Sequence, residues 1–330
     1  MKLTALLLAL LLFATCLSAQ ENSCLRRVVL FSAIGPDEMP VPGLSTENFR
    51  GSFQGAPVRI LAATWDTGPR RIVVLVDTSG LMRGRSAWGP SNREKVIEFL
   101  VRDALQFTRT TDKVSLVTFS DKVTQQTSLT EDRRQAIAWV EQMAREGPGF
   151  FRGKNPFFEA LGTAIDILNP HEPGDAIYVI TDADNRVREL GLDAIRLRFL
   201  SSRVRLFALF LKYRDPSDPQ YGAFLQELLI PLGGTFSMIL PAPIPRTGSV
   251  YDLSEAGQSE LRFVTNSVYR QIENFYRVEI ELPQAAEKRG SLKLELVGTG
   301  DKQTKGLSLH YPTKLLPCTA ARDSQQSKPN

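Results

Sequence analysis

An uninterrupted apolar run, Ile72-Val73-Val74-Leu75-Val76, stops at Asp77 and is followed at once by Thr78, Ser79 and Gly80. β-Branched residues without polar alternation suit a strand buried on both faces, the condition of a central strand in a parallel sheet covered by helices. Such a strand commits the chain to an α/β architecture, and open sheets of that kind bind ligands beyond the carboxyl ends of their strands. Asp77 and Ser79 therefore fall where a site is expected. Their carboxylate and hydroxyl oxygens suit a hard divalent cation such as Mg²⁺, which keeps several waters and takes few protein ligands.

The same logic recurs at Ala176-Ile177-Tyr178-Val179-Ile180-Thr181, which ends at Asp182, so two carboxylates are expected at neighbouring strand ends. Further strands are expected at 114–119, 204–211 and 235–239, alternating with helical patterns. Val96, Ile97, Leu100, Val101, Ala104 and Leu105 form one apolar helical face. Thr130 reads as the cap of the next helix, with Ile137, Val140 and Met143 inward, and Asn155 as the cap of another that opens at Pro156. Further helices are expected around Leu192, Ile195 and Phe199, and around Tyr221, Phe224 and Leu228. A last one starts near Ser254 and carries Leu261, Val264, Val268, Ile272 and Phe275 on one side. This order predicts a doubly wound, mostly parallel sheet over residues 67–275.

Residues 20–66 and 276–317 have a different character, with short strand candidates between turns bearing Pro and Gly. Neither flank is large enough to bury a core alone. Together they are expected to form one small β-sandwich-like unit built from both termini, followed by a polar tail at 318–330. Residues 1–19 read as a secretory signal, with Cys16 leaving a lipid-anchored alternative open, so the protein is expected to be exported to the periplasm, cell surface or medium. Cys24 and Cys318 then remain in an oxidising compartment and are expected to pair, bringing the two flanks together. Two free or intermolecular thiols are the alternative.

The formal net charge is only +4 and the recurring arginines lack interleaved aromatics, which argues against a nucleic-acid partner. No segment after the signal is apolar enough for a transmembrane span. The sequence holds two histidines, His171 and His310, and no nucleophile elbow, phosphate-cradling loop or dinucleotide fingerprint, so no enzymatic activity is expected.

Asp77-Thr78-Ser79-Gly80-Leu81 resembles the metal-ion-dependent adhesion site of von Willebrand factor A domains, whose pattern is Asp-x-Ser-x-Ser, with Leu81 at the last serine position. Residues 112–120, Thr181-Asp182-Ala183 and Leu232-Gly233-Gly234-Thr235-Phe236 resemble later features of that family in the same order. The flanks, notably residues 41–49 and the strand pair ending at Tyr311-Pro312, resemble the secreted acidobacterial relatives of the family. The resemblance implies an adhesion-type protein-interaction module with a degenerate metal site. Its ligands would be Asp77, Ser79, Asn155 and Asp182, holding Mg²⁺ or Mn²⁺ weakly. Asn155 has the helix-cap role as its competing explanation. Thr78, Trp88 and Asp184 would lie on loops that meet an unidentified protein partner, although Trp88 could equally pack back on the domain. The alternative is a metal-independent scaffold component of a cell-surface or secretion assembly.

Overall fold

The computed structural model describes residues 24–83, 85–86, 89–90, 93–153, 155–182, 191–211, 227–239, 242–244, 248–250, 253–298 and 306–318. The amino-terminal flank supplies β1 (Arg26–Ile34), β2 (Phe49–Phe53), β3 (Ala56–Pro57) and β4 (Arg59–Asp66). The chain then enters β5 (Arg71–Asp77), α1 (Arg93–Phe107), β6 (Lys113–Phe119), β7 (Val123–Gln125), α2 (Arg134–Glu146) and α3 (Phe157–Ile167). It continues through β8 (Ala176–Thr181), α4 (Leu192–Ser202), β9 (Arg205–Leu211), β10 (Thr235–Ile239) and α5 (Glu255–Glu273). The carboxyl-terminal flank follows as β11 (Phe275–Glu281), β12 (Gly290–Leu296), β13 (Ser308–His310) and β14 (Lys314–Leu315).

Six strands form the central sheet in the order β10-β9-β8-β5-β6-β7, parallel throughout except for β7 at one edge. Val74 and Val76 of β5 pack with α1, α2 and α5 on one face, whereas Val73 and Leu75 pack with α3 and α4 on the other. Each side chain of this run thus leaves water, a gain of about 1.5–3 kcal/mol apiece, and that is why polar alternation is missing from it.

The flanks build two four-stranded sheets, β13-β1-β11-β4 and β14-β12-β2-β3, with every pairing antiparallel. β1 pairs with β11 and β2 with β12, so each sheet joins strands from both ends of the chain. Phe31, Phe49, Phe53, Tyr276, Val278, Ile280, Leu292 and Leu294 fill one core between the sheets. Arg277 and Glu279 alternate outward, as an antiparallel sheet with one wet face requires. The expected Cys24–Cys318 disulfide closes the unit, with the two Cα atoms 5.5 Å apart.

Buried arginines fasten the two layers together. Arg70 Nη2 donates to Glu273 O at 2.6 Å and Arg205 Nη1 to Gln271 O at 3.0 Å, which satisfies the last carbonyls of α5 where a cation is favoured. Both guanidinium groups also lie over the Phe275 ring, 4.5 and 4.0 Å from its centroid. On the far side, Gly233 has φ +67°, and any Cβ there would collide with the Tyr311 backbone. Thr313 N donates to Pro231 O close by, at 3.1 Å.

Several local expectations need correction. Thr130 does not cap α2: its backbone bridges Val114, and the Arg134 amide is met instead by Asp132 Oδ1 at 3.0 Å. Ile137 is 40% exposed: the buried face is Ala136, Trp139, Val140 and Met143, an i, i+3, i+4, i+7 stripe that leaves Ile137 to one side. Phe275 is not on α5 but opens β11. The residues of the expected helix from Tyr221 to Phe224, the signal segment and Cys16 lie outside the described residues.

Candidate metal and partner site at the carboxyl edge of the sheet

β5 and β8 are hydrogen-bonded neighbours in register, Val76 opposite Ile180, so their carboxyl ends bring Asp77 and Thr181 side by side. Asp77 is fully buried and collects three donors. Thr181 Oγ1 donates to Asp77 Oδ2 at 2.6 Å, Asn155 Nδ2 donates to the same oxygen at 2.7 Å, and the Ser79 amide donates to Oδ1 at 2.9 Å. All three donors are neutral. Asp182 follows directly and is 2% exposed. Burial, and secondarily the charge of Asp182, push the Asp77 carboxyl up to about 7, against the opposing pull of Thr181 and Ser79.

The loop carrying Asn155 is pinned beneath the strand end. Gly80 N donates to Gly153 O at 3.1 Å, and Arg152 N donates to Thr78 O at 3.0 Å. Gly153 has φ +88°, a conformation that favours glycine, and a Cβ there would sit 2.5 Å from the Asp121 carboxyl carbon and push that side chain aside.

Of the two roles expected for Asn155, metal ligand and helix cap, the cap role is not what it plays. α3 starts at Phe157 with Pro156 in the cap position and no side-chain cap bond, while the Asn155 amide turns to Asp77. Thr78, expected on a partner-facing loop, is 4% exposed and its hydroxyl donates to Phe119 O at 3.2 Å. Trp88 and Asp184 lie outside the described residues. Thr181, left out of the expected ligand set, joins the two strand ends through Asp77. Its place after an apolar strand and before an acid was the available clue. Gly153 and Asp121 left none, because only the folded loop brings them together.

Two oxygens decide what the site can do. Asn155 Oδ1 is buried without a hydrogen-bond partner, and Ser79 Oγ, near enough to Asp77 to pull its carboxyl down, makes no hydrogen bond of normal geometry; a buried acceptor left so costs about 1–3 kcal/mol unless something fills it. Beside two mutually repelling carboxylates, these orphaned acceptors fit a hard dication, which takes only oxygen ligands. Among the described residues no cluster of three His, Cys, Asp or Glu side chains exists, so such an ion would depend on those neutral oxygens. Leu81 adds no oxygen to them.

Residues 72–185 match the family described as von Willebrand factor type A domain, a span that contains the whole site. No curated protein matches the chain significantly. Among solved structures, a von Willebrand factor type A protein from Catenulispora acidiphila is 13% identical over 88% of this chain and 74% of its own, with a TM-score of 0.42. An aerotolerance-related membrane protein from Bacteroides fragilis is 20% identical over 60% of this chain and 99% of its own, with a TM-score of 0.43. Proximal thread matrix protein 1 from the mussel byssus, solved with a zinc-occupied MIDAS motif, is 12% identical over 66% of this chain and 50% of its own, with a TM-score of 0.47. With strand order, strand-end acids and family match in agreement, the α/β unit of this chain is a von Willebrand factor A-related domain.

Proposed function

We propose that the protein is an exported, non-enzymatic interaction module of the adhesion type, binding its partner at the carboxyl edge of the A-domain sheet. The observation that carries this reading is the buried Asp77–Asp182 pair ringed by the orphaned Ser79 Oγ and Asn155 Oδ1. Asp77, Ser79, Asn155 and Asp182 would hold Mg²⁺ or Mn²⁺, and the ion would neutralise the two acids and attract a carboxylate of the partner. The protein's own part is to hold the oxygens in place. Thr181 and the Ser79 amide fix Asp77, and the Gly80–Gly153 contact fixes the loop bearing Asn155.

A non-enzymatic role agrees with where the two histidines lie. His171 sits near Arg71 and Asp175 at the opposite end of the strands, and His310 lies in β13, bonded to the Gly234 backbone. The narrower likeness to secreted acidobacterial relatives supports export, together with the disulfide.

Titration of purified protein with Mg²⁺ and Mn²⁺, read by tryptophan fluorescence or calorimetry, tests the site. Wild type should bind in the sub-millimolar to millimolar range and Asp77→Ala should not; identical isotherms remove the metal from the proposal. Capture of partners from envelope extract with and without a chelator tests the function. A partner retained equally in both, and lost when the outward face of the sandwich is altered at Arg277 and Glu279, would favour the scaffold reading. The disulfide-closed sandwich is the feature that supports that second reading.

A further inference from the structure

Away from the carboxyl edge, the junction between the A domain and the sandwich holds a partly open cavity of about 90 Å³. Its walls come from the end of α4 and start of β9, from the turn before β10, from β1 and from residues 310–317. Phe199, Val204, Phe207, Leu232 and Leu316 make most of that wall apolar.

Against this apolar lining stand two guanidinium groups, those of Arg27 and Arg203, and no Asp or Glu lines the cavity. Arg27 Nε and Nη2 are buried and bonded to nothing, while the neighbouring Arg26 is the one that reaches Glu281, at 4.0 Å. Burial first, and then the like charge of Arg203, press the Arg27 guanidinium below its ordinary range. Thr235 Oγ1, also on the wall, is buried without a partner. Of the other cations on the wall, Arg205 gives Nη1 to Gln271 O and Nη2 to Ile272 O while its Nε is left unbonded, and Lys314 Nζ donates to Ser291 Oγ at 2.6 Å.

Arg203 carries a second mark. It ends α4 in the left-handed conformation, φ 58° and ψ 19°, a position where helices ordinarily place glycine. An exposed, long cationic side chain thus stands where the backbone disfavours one, beside Arg27 and at the rim of an apolar slot.

We propose that this cavity binds a small aliphatic carboxylate, its head between Arg27 and Arg203 and its tail among Phe199, Val204 and Leu232. One carboxylate would bridge both guanidinium groups through charge-assisted hydrogen bonds and relieve their mutual repulsion by cancelling one of the two charges. An apolar tail would gain by leaving water, which a simple inorganic anion cannot do. Because the wall belongs to both layers, the bound acid would also tie the A domain to the sandwich.

Calorimetry and thermal melts with hexanoate, hexanol and acetate separate head from tail. Hexanoate is expected to bind and to raise the melting temperature, with hexanol and acetate at least tenfold weaker. Arg203→Gly is the informative variant, since glycine relieves the backbone and keeps the protein folded while removing one head contact; its affinity for hexanoate should fall at least tenfold. Arg27→Gln should fall likewise. Absent hexanoate binding, hexanol as tight as hexanoate, or wild-type affinity in Arg203→Gly would each overturn the proposal.

Discussion

β5 and β8 run side by side through the centre of the sheet, yet their two ends are built on opposite electrostatic plans. At the amino ends Arg71 grips Asp175 with two bonds, Nε to Oδ1 at 2.9 Å and Nη2 to Oδ2 at 2.8 Å. Close by, the fully buried Asp112 accepts from the amides of Arg70 and Arg109, at 2.8 and 2.9 Å, and from the Tyr269 hydroxyl at 2.5 Å. At the carboxyl ends Asp77 faces Asp182 and receives only neutral donors, and two nearby acceptors are left empty. The first end is complete as folded; the second is held short of completion. Burial alone does not mark a functional acid, since both ends are buried. What separates them is whether the fold supplies the counter-charge.

Removing that counter-charge should have the largest effect. Arg71→Ala leaves Asp175, 1% exposed, without its cation and should cost about 3–5 kcal/mol in urea unfolding. A loss below about 1 kcal/mol, the surface-pair range, would erase the distinction between the ends.

The next effect is on pH dependence. The Asp77 carboxyl, raised to about 7 from an ordinary 3.8, binds a proton in the folded state that the unfolded chain releases. Stability should therefore fall as pH rises from about 4 to 7 in the absence of divalent ions, on the order of 2–4 kcal/mol across the window. Asp103, raised to about 6 mainly by burial, shares that window, so the readout is the difference between wild type and Asp77→Ala in chelator. Mg²⁺ or Mn²⁺ should flatten the slope in wild type alone. Asp66 has the opposite sign. Burial lifts its carboxyl, but the Gly68 amide and Arg70 outweigh this and hold it below 3.8, so its contribution is present at neutral pH and is lost in acid. Parallel pH slopes in wild type and Asp77→Ala would count against the incomplete carboxyl end.

Leu81→Ser sharpens the same comparison with a smaller effect. An oxygen at that position should tighten Mg²⁺ binding roughly tenfold, about 1.4 kcal/mol. No gain in calorimetry would mean that the loop geometry, and not only the missing oxygen, limits the site.

The two ends also differ in how much of them the sequence discloses. Asp77 and Asp182 are legible because each terminates an apolar run, and a buried strand must deliver its next residue to the edge. The amino-end pairing is not legible: Arg71 and Asp175 lie 104 residues apart, and nothing local distinguishes them from solvated charges. Asn155 shows where a local rule yields to a long-range one. Asn-Pro is a fair helix opening, but α3 starts at Phe157 and the amide is worth more on a buried carboxylate 78 residues away. For α2, the backbone bridge of Thr130 to Val114 takes the cap role away from Thr130, and the inward stripe is Ala136, Trp139, Val140 and Met143, which helical spacing alone separates from Ile137. The sandwich is legible only in outline, because its short strands carry ordinary alternation and nothing local in a strand says which strand of the opposite terminus it pairs with.

That bridge has a mechanical consequence. Cys24 and Cys318 are separated by 294 positions in sequence, yet a pull applied outside them passes from one sulfur to the other. The A domain lies on a slack loop beside the load path, shielded from tension that would otherwise open its sheet and displace the acids at its edge. A molecule tethered outside the two cysteines in optical tweezers should show no A-domain extension while oxidised. After reduction the same tether should release roughly 1000 Å of chain, and the A domain would then bear load for the first time.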